Sequence, residues 1–198
     1  MKKPLHTHIK LALLLLITSI SSQASAEHFK KKMYFGAGVS NTRLQINEQS
    51  IRSAGGVSAQ SSLQNSQTGF SIFSGFRFDD YLSVELTYID FGNYNTQTNG
   101  LKNELFSVDS LYLTSALNYP VSQNINSYIK LGFSEWQMDS KNLALQEDGT
   151  GLVYGAGVDI NLYGSSRRTL KIEWLHQSFD DVFLSDSDSI SASIVFSF

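Results

Sequence analysis

Phe70-Ser-Ile-Phe-Ser-Gly-Phe-Arg-Phe-Asp-Asp-Tyr-Leu-Ser-Val-Glu-Leu-Thr-Tyr88 is the stretch on which the fold turns. Before Asp79-Asp80, apolar side chains stand at 70, 72, 76 and 78, and after it at 82, 84, 86 and 88. Arg77 and Glu85 fall on the intervening positions. Side chains repeating every second residue belong to a strand with two unlike faces. Two such runs joined by a short polar step read as a hairpin.

Outward from this hairpin the same alternation recurs in segments of roughly ten residues, and nothing beyond the N-terminal region sustains a helical period. Eight strands are predicted, at about 32–43, 68–78, 81–90, 108–119, 127–137, 151–162, 168–177 and 189–198. Short connections (Asp79-Asp80, Pro120–Asn126 and Tyr163–Arg167) alternate with long ones at about 44–67, 91–107, 138–150 and 178–188. Pro120 is placed in a turn, where its missing N–H costs no ladder bond. Short turns at one end and long loops at the other are the layout of an all-β, eight-stranded antiparallel up-and-down transmembrane β-barrel.

The faces say which side meets lipid. One face carries Val39, Phe70, Ile72, Phe76, Leu82, Val84, Leu113, Leu117, Leu131, Phe133, Leu152, Val158, Ile172, Trp174, Ile190, Ile194, Phe196 and Phe198, and no charge, although charged residues make up 17% of the chain. The other is rich in Gly and Ser and carries Arg77, Lys130 and Lys171 against Glu85, Asp159 and Glu173. Lys or Arg facing mid-bilayer lipid costs ~2–4 kcal/mol, which explains the exclusion. Opposite charges in equal number suit a narrow membrane barrel, where each buried ion needs a counter-ion. A soluble barrel would show the same alternation inside out, with Gly and Ser runs on its wet surface.

Strand five loses its phase at Glu135 and Trp136, so a β-bulge near 134–135 is predicted to return Trp136 to lipid. Trp136 would then join Trp174, Tyr154 and His176 in an interfacial aromatic belt.

The ends and the composition narrow the class. Lys2, Lys3 and Lys10, the apolar run Leu11–Ile17 and Ala24-Ser25-Ala26 describe a secretory signal over residues 1–26, leaving the barrel as 27–198. The net charge of −3 excludes a basic nucleic-acid binder, and the absence of Cys excludes disulfides, thiolate metal sites and a lipid anchor. A mean hydropathy of −0.14 excludes a helical membrane bundle. The alternation Ile194, Phe196, Phe198 resembles the C-terminal signal that outer-membrane barrels present to their insertion machinery.

Several segments together resemble the transmembrane domain of the OmpA family of small eight-stranded barrels. They are Gly36-Ala-Gly-Val39, Phe73 to Tyr88, Leu117-Asn-Tyr-Pro120 with Tyr128-Ile-Lys-Leu-Gly-Phe133 and Trp136, Gly155-Ala-Gly-Val-Asp159, and Lys171-Ile-Glu-Trp174. The resemblance implies an interior salt-bridge network formed by Glu85, Lys130, Asp159, Lys171 and Glu173, to which periodicity adds Arg77. Ala116 replaces the family's basic residue on the fourth strand, which puts a partner-exchange gate in doubt. The chain ends without the periplasmic peptidoglycan-binding domain of full-length OmpA proteins, so wall tethering is not expected.

Three roles are weighed. The favoured one is a monomeric structural or surface-interaction barrel without catalysis, cofactor or resident metal, meeting lipid and lipopolysaccharide through its wall and extracellular ligands through its loops. Asp180, Asp181, Asp186 and Asp188 make the fourth loop acidic, so it either holds divalent cations beside lipopolysaccharide or is simply solvated. The second role is a narrow or gated pore. The third is a lipid A deacylase-like hydrolase using His176 and Ser178, which share a strand face; Phe179 stands where those enzymes have Asn.

Overall fold

The computed structural model describes residues 33–46, 62–63, 65–98, 101–139, 146–162, 167–179 and 184–198. Residues 1–26, and with them the signal segment, lie outside this set. Eight long antiparallel strands close on themselves: β1 Met33–Ile46, β2 Ser66–Arg77, β3 Leu82–Thr98, β4 Leu101–Pro120, β5 Ile125–Asp139, β6 Gln146–Asn161, β7 Arg168–Ser178 and β8 Leu184–Ser197. Each pairs with its sequence neighbours, and β8 pairs with β1. Ser62–Leu63 adds a short rung beside the upper end of β3.

The register fixes the shape. From Tyr34, the row of paired residues runs through Gly75, Glu85, Thr114, Gly132, Val153, Gln177 and Ser187 and re-enters β1 at Leu44, ten residues higher. A stagger of ten over eight strands tilts them about 40° and leaves an interior that side chains fill. Each strand therefore sits about 1.25 residues above the preceding one along a row.

The outer wall is apolar over a height of about 25 Å. At its lower edge lie Phe78, Tyr81, Tyr119 and Phe198, and at its upper edge Phe70, Phe133, Leu152, Tyr154 and Trp174, all well exposed. Leu131 is 65% exposed while Lys130 beside it is 4% exposed, so hydrocarbon-loving groups face out and ions face in. At the periplasmic end, Asp79 Oδ1 accepts from the backbone N–H groups of Tyr81 and Leu82, both at 2.7 Å, and closes the β2–β3 turn. Pro120 is the last residue of β4, opposite Asn126, rather than a turn residue.

Above the apolar band the two faces exchange character. By register the outward positions become Asp90, Asp109, Glu135, Gln137, Asp148, Asp186 and Asp188, of which Asp109 and Gln137 are themselves buried. Inward positions become Ile89, Phe91, Tyr94, Phe106, Val108, Trp136, Met138, Phe179 and Leu184, all buried.

This inversion corrects three expectations. First, pairing of β5 with both neighbours runs unbroken through 134–136, so the predicted bulge is absent. Second, Trp136 is 1% exposed and points into the barrel rather than joining a lipid-facing belt. Glu135 needs no bulge to escape lipid, because the tilt has already carried it above the band. Register shifts lie instead between Gln45 and Ile46 where β1 meets β8, and on β3 between Tyr94 and Asn95 and between Asp90 and Asn93, where Gly92 adopts φ 83° and donates its N–H to Asp90 Oδ1 at 2.7 Å. Third, much of the predicted loops 44–67, 91–107, 138–150 and 178–188 is strand. Among the described residues their alternation continues, slipping by one residue at the Asp90–Asn93 bulge, with polar residues outward and apolar residues inward.

Candidate functional site

The lower interior is an ionic layer built by four tilted strands. Glu85 on β3 receives Lys130 of β5 at 2.5 Å on Oε1 and Lys171 of β7 at 2.6 Å on Oε2. Lys130 also meets Glu173 at 2.5 Å, so it bridges two carboxylates. Tyr34 donates to Glu85 at 3.1 Å, Tyr128 to Glu173 at 2.8 Å, and Thr87 to Glu85 at 3.1 Å. Lys171 Nζ also lies 4.4 Å from the centroid of the Phe73 ring.

Arg77 and Asp159 form a separate pair at 3.5 Å near the periplasmic mouth, with the Arg77 side chain partly exposed. Glu85, Lys130, Lys171 and Glu173 thus form one chain of contacts, and Arg77 with Asp159 forms a second. The stagger makes this possible: Glu85 and Lys130 stand on non-adjacent strands at nearly one height.

Ala116 pairs with Lys130 and Ser83 in register and helps line a small recess with Arg77, Asn118, Asp159 and Lys171. Its room is about 10 Å³, that of one water. A longer side chain at 116 would fill it.

Above the ions, Tyr112 donates to Gln177 Oε1 at 2.7 Å and Gln177 donates to Ser134 at 2.9 Å. Thr42 and Ser189 share a 2.7 Å hydrogen bond on the facing wall. The apolar cluster follows, with Trp136 edge-on to Phe179 at 5.2 Å and Tyr94 stacked on Phe106 at 5.3 Å. Burial pushes the Tyr94 phenol well above its ordinary range. Neither the Gln177 cluster nor the apolar layer was anticipated from the sequence; a search for apolar inward positions beyond 90 would have found the latter.

His176 sits on the outer wall where lipid-facing aromatics give way to carboxylates. Its Nδ1 lies 3.1 Å from Asp188 Oδ1, its Nε2 3.6 Å from Asp186 Oδ1, and its ring 4.8 Å from that of Tyr154. Asp186 and Asp188 belong to β8 rather than to a loop, and Asp188 is directly opposite His176. Ser178 points elsewhere: its hydroxyl donates to Leu152 O at 3.5 Å, and Leu152 N–H donates back to it at 3.3 Å. Asp180 and Asp181 lie outside the described residues. Among the described residues no group of three or more His, Asp or Glu converges as a metal site. Ile194, Phe196 and Phe198 all face outward at the end of β8 and just beyond it.

Comparison with known proteins agrees with this geometry. Residues 12–198 match the outer membrane protein beta-barrel domain family. Outer membrane protein A of Klebsiella aerogenes is 30% identical over 119 residues, and that of Escherichia coli O157:H7 is 25% identical over 117. Both alignments take in 58% of this chain, and the chain spans about a third of the length of these relatives, 33% and 34% respectively. Among solved structures, Neisserial surface protein A aligns with a TM-score of 0.59 at 15% identity, covering 84% of this chain and 97% of that one. OprG of Pseudomonas aeruginosa aligns with a TM-score of 0.52 at 14% identity, covering 85% and 98%. At such identities these structures speak for the fold.

Proposed function

The chain belongs to the outer membrane protein β-barrel domain family, and on that footing we propose that it is a non-catalytic structural and surface-interaction barrel whose lumen is closed. That it is an outer-membrane β-barrel protein follows from the family, its relatives and its apolar wall. The observation that carries the closed lumen is the filled interior: a charge-balanced layer of Arg77, Lys130 and Lys171 against Glu85, Asp159 and Glu173, capped by buried apolar side chains. Such an interior stabilises a rigid cylinder and offers ions no aqueous path.

The non-catalytic reading rests on Ser178. A serine nucleophile needs its hydroxyl against a base, whereas Ser178 is tied to the backbone of Leu152 and the His176 ring nitrogens face carboxylates. His176 is read instead as an interfacial residue. Residues 1–26 act in this proposal as an export signal, and Ile194, Phe196 and Phe198 as the signature read by the barrel-insertion machinery. Partners are outer-membrane lipid and lipopolysaccharide around the wall, with extracellular ligands at the upper rim and the protein acting as a monomer.

Two measurements test this. Planar-bilayer recordings of the purified wild-type barrel should show no steady conductance. Mass spectrometry of lipid A from cells expressing wild type and Ser178→Ala should show identical acylation. A wild-type pore or a Ser178-dependent loss of acyl chains would each sink the corresponding part.

A further inference from the structure

The foot of the outer wall carries a charge that the barrel itself does not use. On β7 the outward positions read Arg168, Leu170, Ile172, Trp174 and His176, three apolar residues between two polar ends. Eight residues of a strand tilted about 40° rise about 20 Å. With His176 at the extracellular edge of the apolar band, Arg168 therefore lies at its periplasmic edge. Arg168 is exposed and stands directly opposite Phe196, itself 50% exposed. Phe196 pairs in turn with Phe35, whose ring meets that of Phe198 edge-on at 5.7 Å. The backbone here is tied down: Ser197 N–H donates to Arg167 O at 3.1 Å, and Phe198 N–H to Met33 O at 3.3 Å. Among the described residues Arg168 makes no ion pair, whereas Arg77 at the lumen mouth has Asp159. The acidic turn Asp79-Asp80 joins β2 to β3, on the opposite side of the cylinder. The outward carboxylates Glu135, Asp148, Asp186 and Asp188 all lie above the band.

The geometry points to Arg168 as the holder of the phosphate of an anionic phospholipid in the periplasmic leaflet, with an acyl chain of that lipid lying over Phe196 and Phe35. A guanidinium offers paired N–H donors that match a phosphate, and its fixed place at the edge of the hydrocarbon puts it at headgroup level. The aromatic rings beside it supply the apolar surface that a lipid chain covers and a soluble anion does not. The chain's net charge of −3 works against any unspecific gathering of anionic lipid, so a preference for such lipid is local to this corner. The inference rests on the lipid partnership proposed above and adds its chemistry and its place.

Native mass spectrometry of the folded barrel, released from micelles doped with equal amounts of phosphatidylglycerol and phosphatidylcholine, tests this. Singly lipidated wild type should favour phosphatidylglycerol by about fivefold, the preference that one surface Arg confers. Arg168→Gln should bring the ratio near unity, and Arg168→Lys should fall between the two. Arg43→Gln, which removes the outward cation opposite Asp188 at the other edge of the wall, should leave the ratio unchanged. Heat-modifiable gel migration confirms that each barrel is folded. No preference in folded wild type, or a preference that survives Arg168→Gln, overturns the proposal. Displacement of the lipid by added inorganic phosphate overturns its commitment to a lipid. Failure of the wild type to fold into phosphatidylcholine vesicles overturns instead the reading of the wall as a lipid-facing surface, and the site with it.

Discussion

The lower and upper halves of this barrel are built from the same strands in the same register, yet they are each other's negative. Below, the wall separates hydrocarbon from the ions Glu85, Lys130, Lys171 and Glu173. Above, it separates water and a ring of carboxylates from Phe91, Val108, Trp136 and Met138. On β5 nothing in the backbone changes at the border, where pairing runs unbroken through 134–136. What changes is the solvent outside. A strand alternates because its two faces meet unlike media, and the phase of that alternation reports which medium is where.

The comparison breaks most visibly through buried positions, where the two halves should fail for different reasons. Lys130→Met leaves Glu173 without its salt-bridge partner and Glu85 with one of two, a loss of about 3–5 kcal/mol. Trp136→Ala opens a cavity in the apolar layer and costs a similar ~3–5 kcal/mol. Urea titrations of lipid-reconstituted protein should show both losses, and refilling should discriminate them. Lys130→Arg should recover much of the first, whereas Trp136→Phe should recover much of the second and Trp136→Arg none. Equal tolerance of Arg at both positions would dissolve the distinction between the halves.

The outer wall gives a somewhat smaller contrast. Leu131→Arg, near the middle of the apolar band, should cost ~2–4 kcal/mol. Glu135→Arg, four residues along the same strand and on the same face, should stay within about 1 kcal/mol. A large penalty at Glu135 would mean that lipid reaches it and that the border has been drawn too low. Gly92→Ala tests the bulge that lies just above this border. A methyl there would strain a φ of 83° and crowd Thr68 O, so a loss of about 1–2 kcal/mol is expected.

How much of this was legible in the sequence follows from the same inversion. The eight strands, their faces and the six interior ions could be read because lipid outside enforces an uncharged face from Phe70 to Tyr88 and again along Leu131 and Phe133. Reading for apolar-outward residues then ended the strands too early, at 90 and 137, and turned Phe91 and Phe106 into loop. Trp136 was read as facing lipid for the same reason: an aromatic off phase was explained by bending the chain rather than by changing the solvent. The pairing within the ionic layer was not legible at all. That Lys130 bridges Glu85 and Glu173, while Arg77 keeps to Asp159, depends on a stagger of ten residues that no single strand records.

The smallest expected effect falls at the border itself, on His176. Its ring lies against Tyr154 on the lipid side and against Asp186 and Asp188 on the water side, so the site already satisfies both media. His176→Phe extends the lower pattern by one residue and gives up two partly exposed carboxylate contacts, which contribute little. His176→Arg extends the upper pattern and keeps them. Both should remain within about 1 kcal/mol of wild type by the same urea titration. At Trp174, two residues lower on the same face, Arg should cost measurably more while Phe does not, because the depth penalty rises toward the bilayer centre. If Arg is tolerated equally at 174 and 176, the change of medium lies lower on β7 than the aromatic edge implies. If it is rejected equally at both, the change lies higher, and Asp188 is left paired with His176 inside the hydrocarbon.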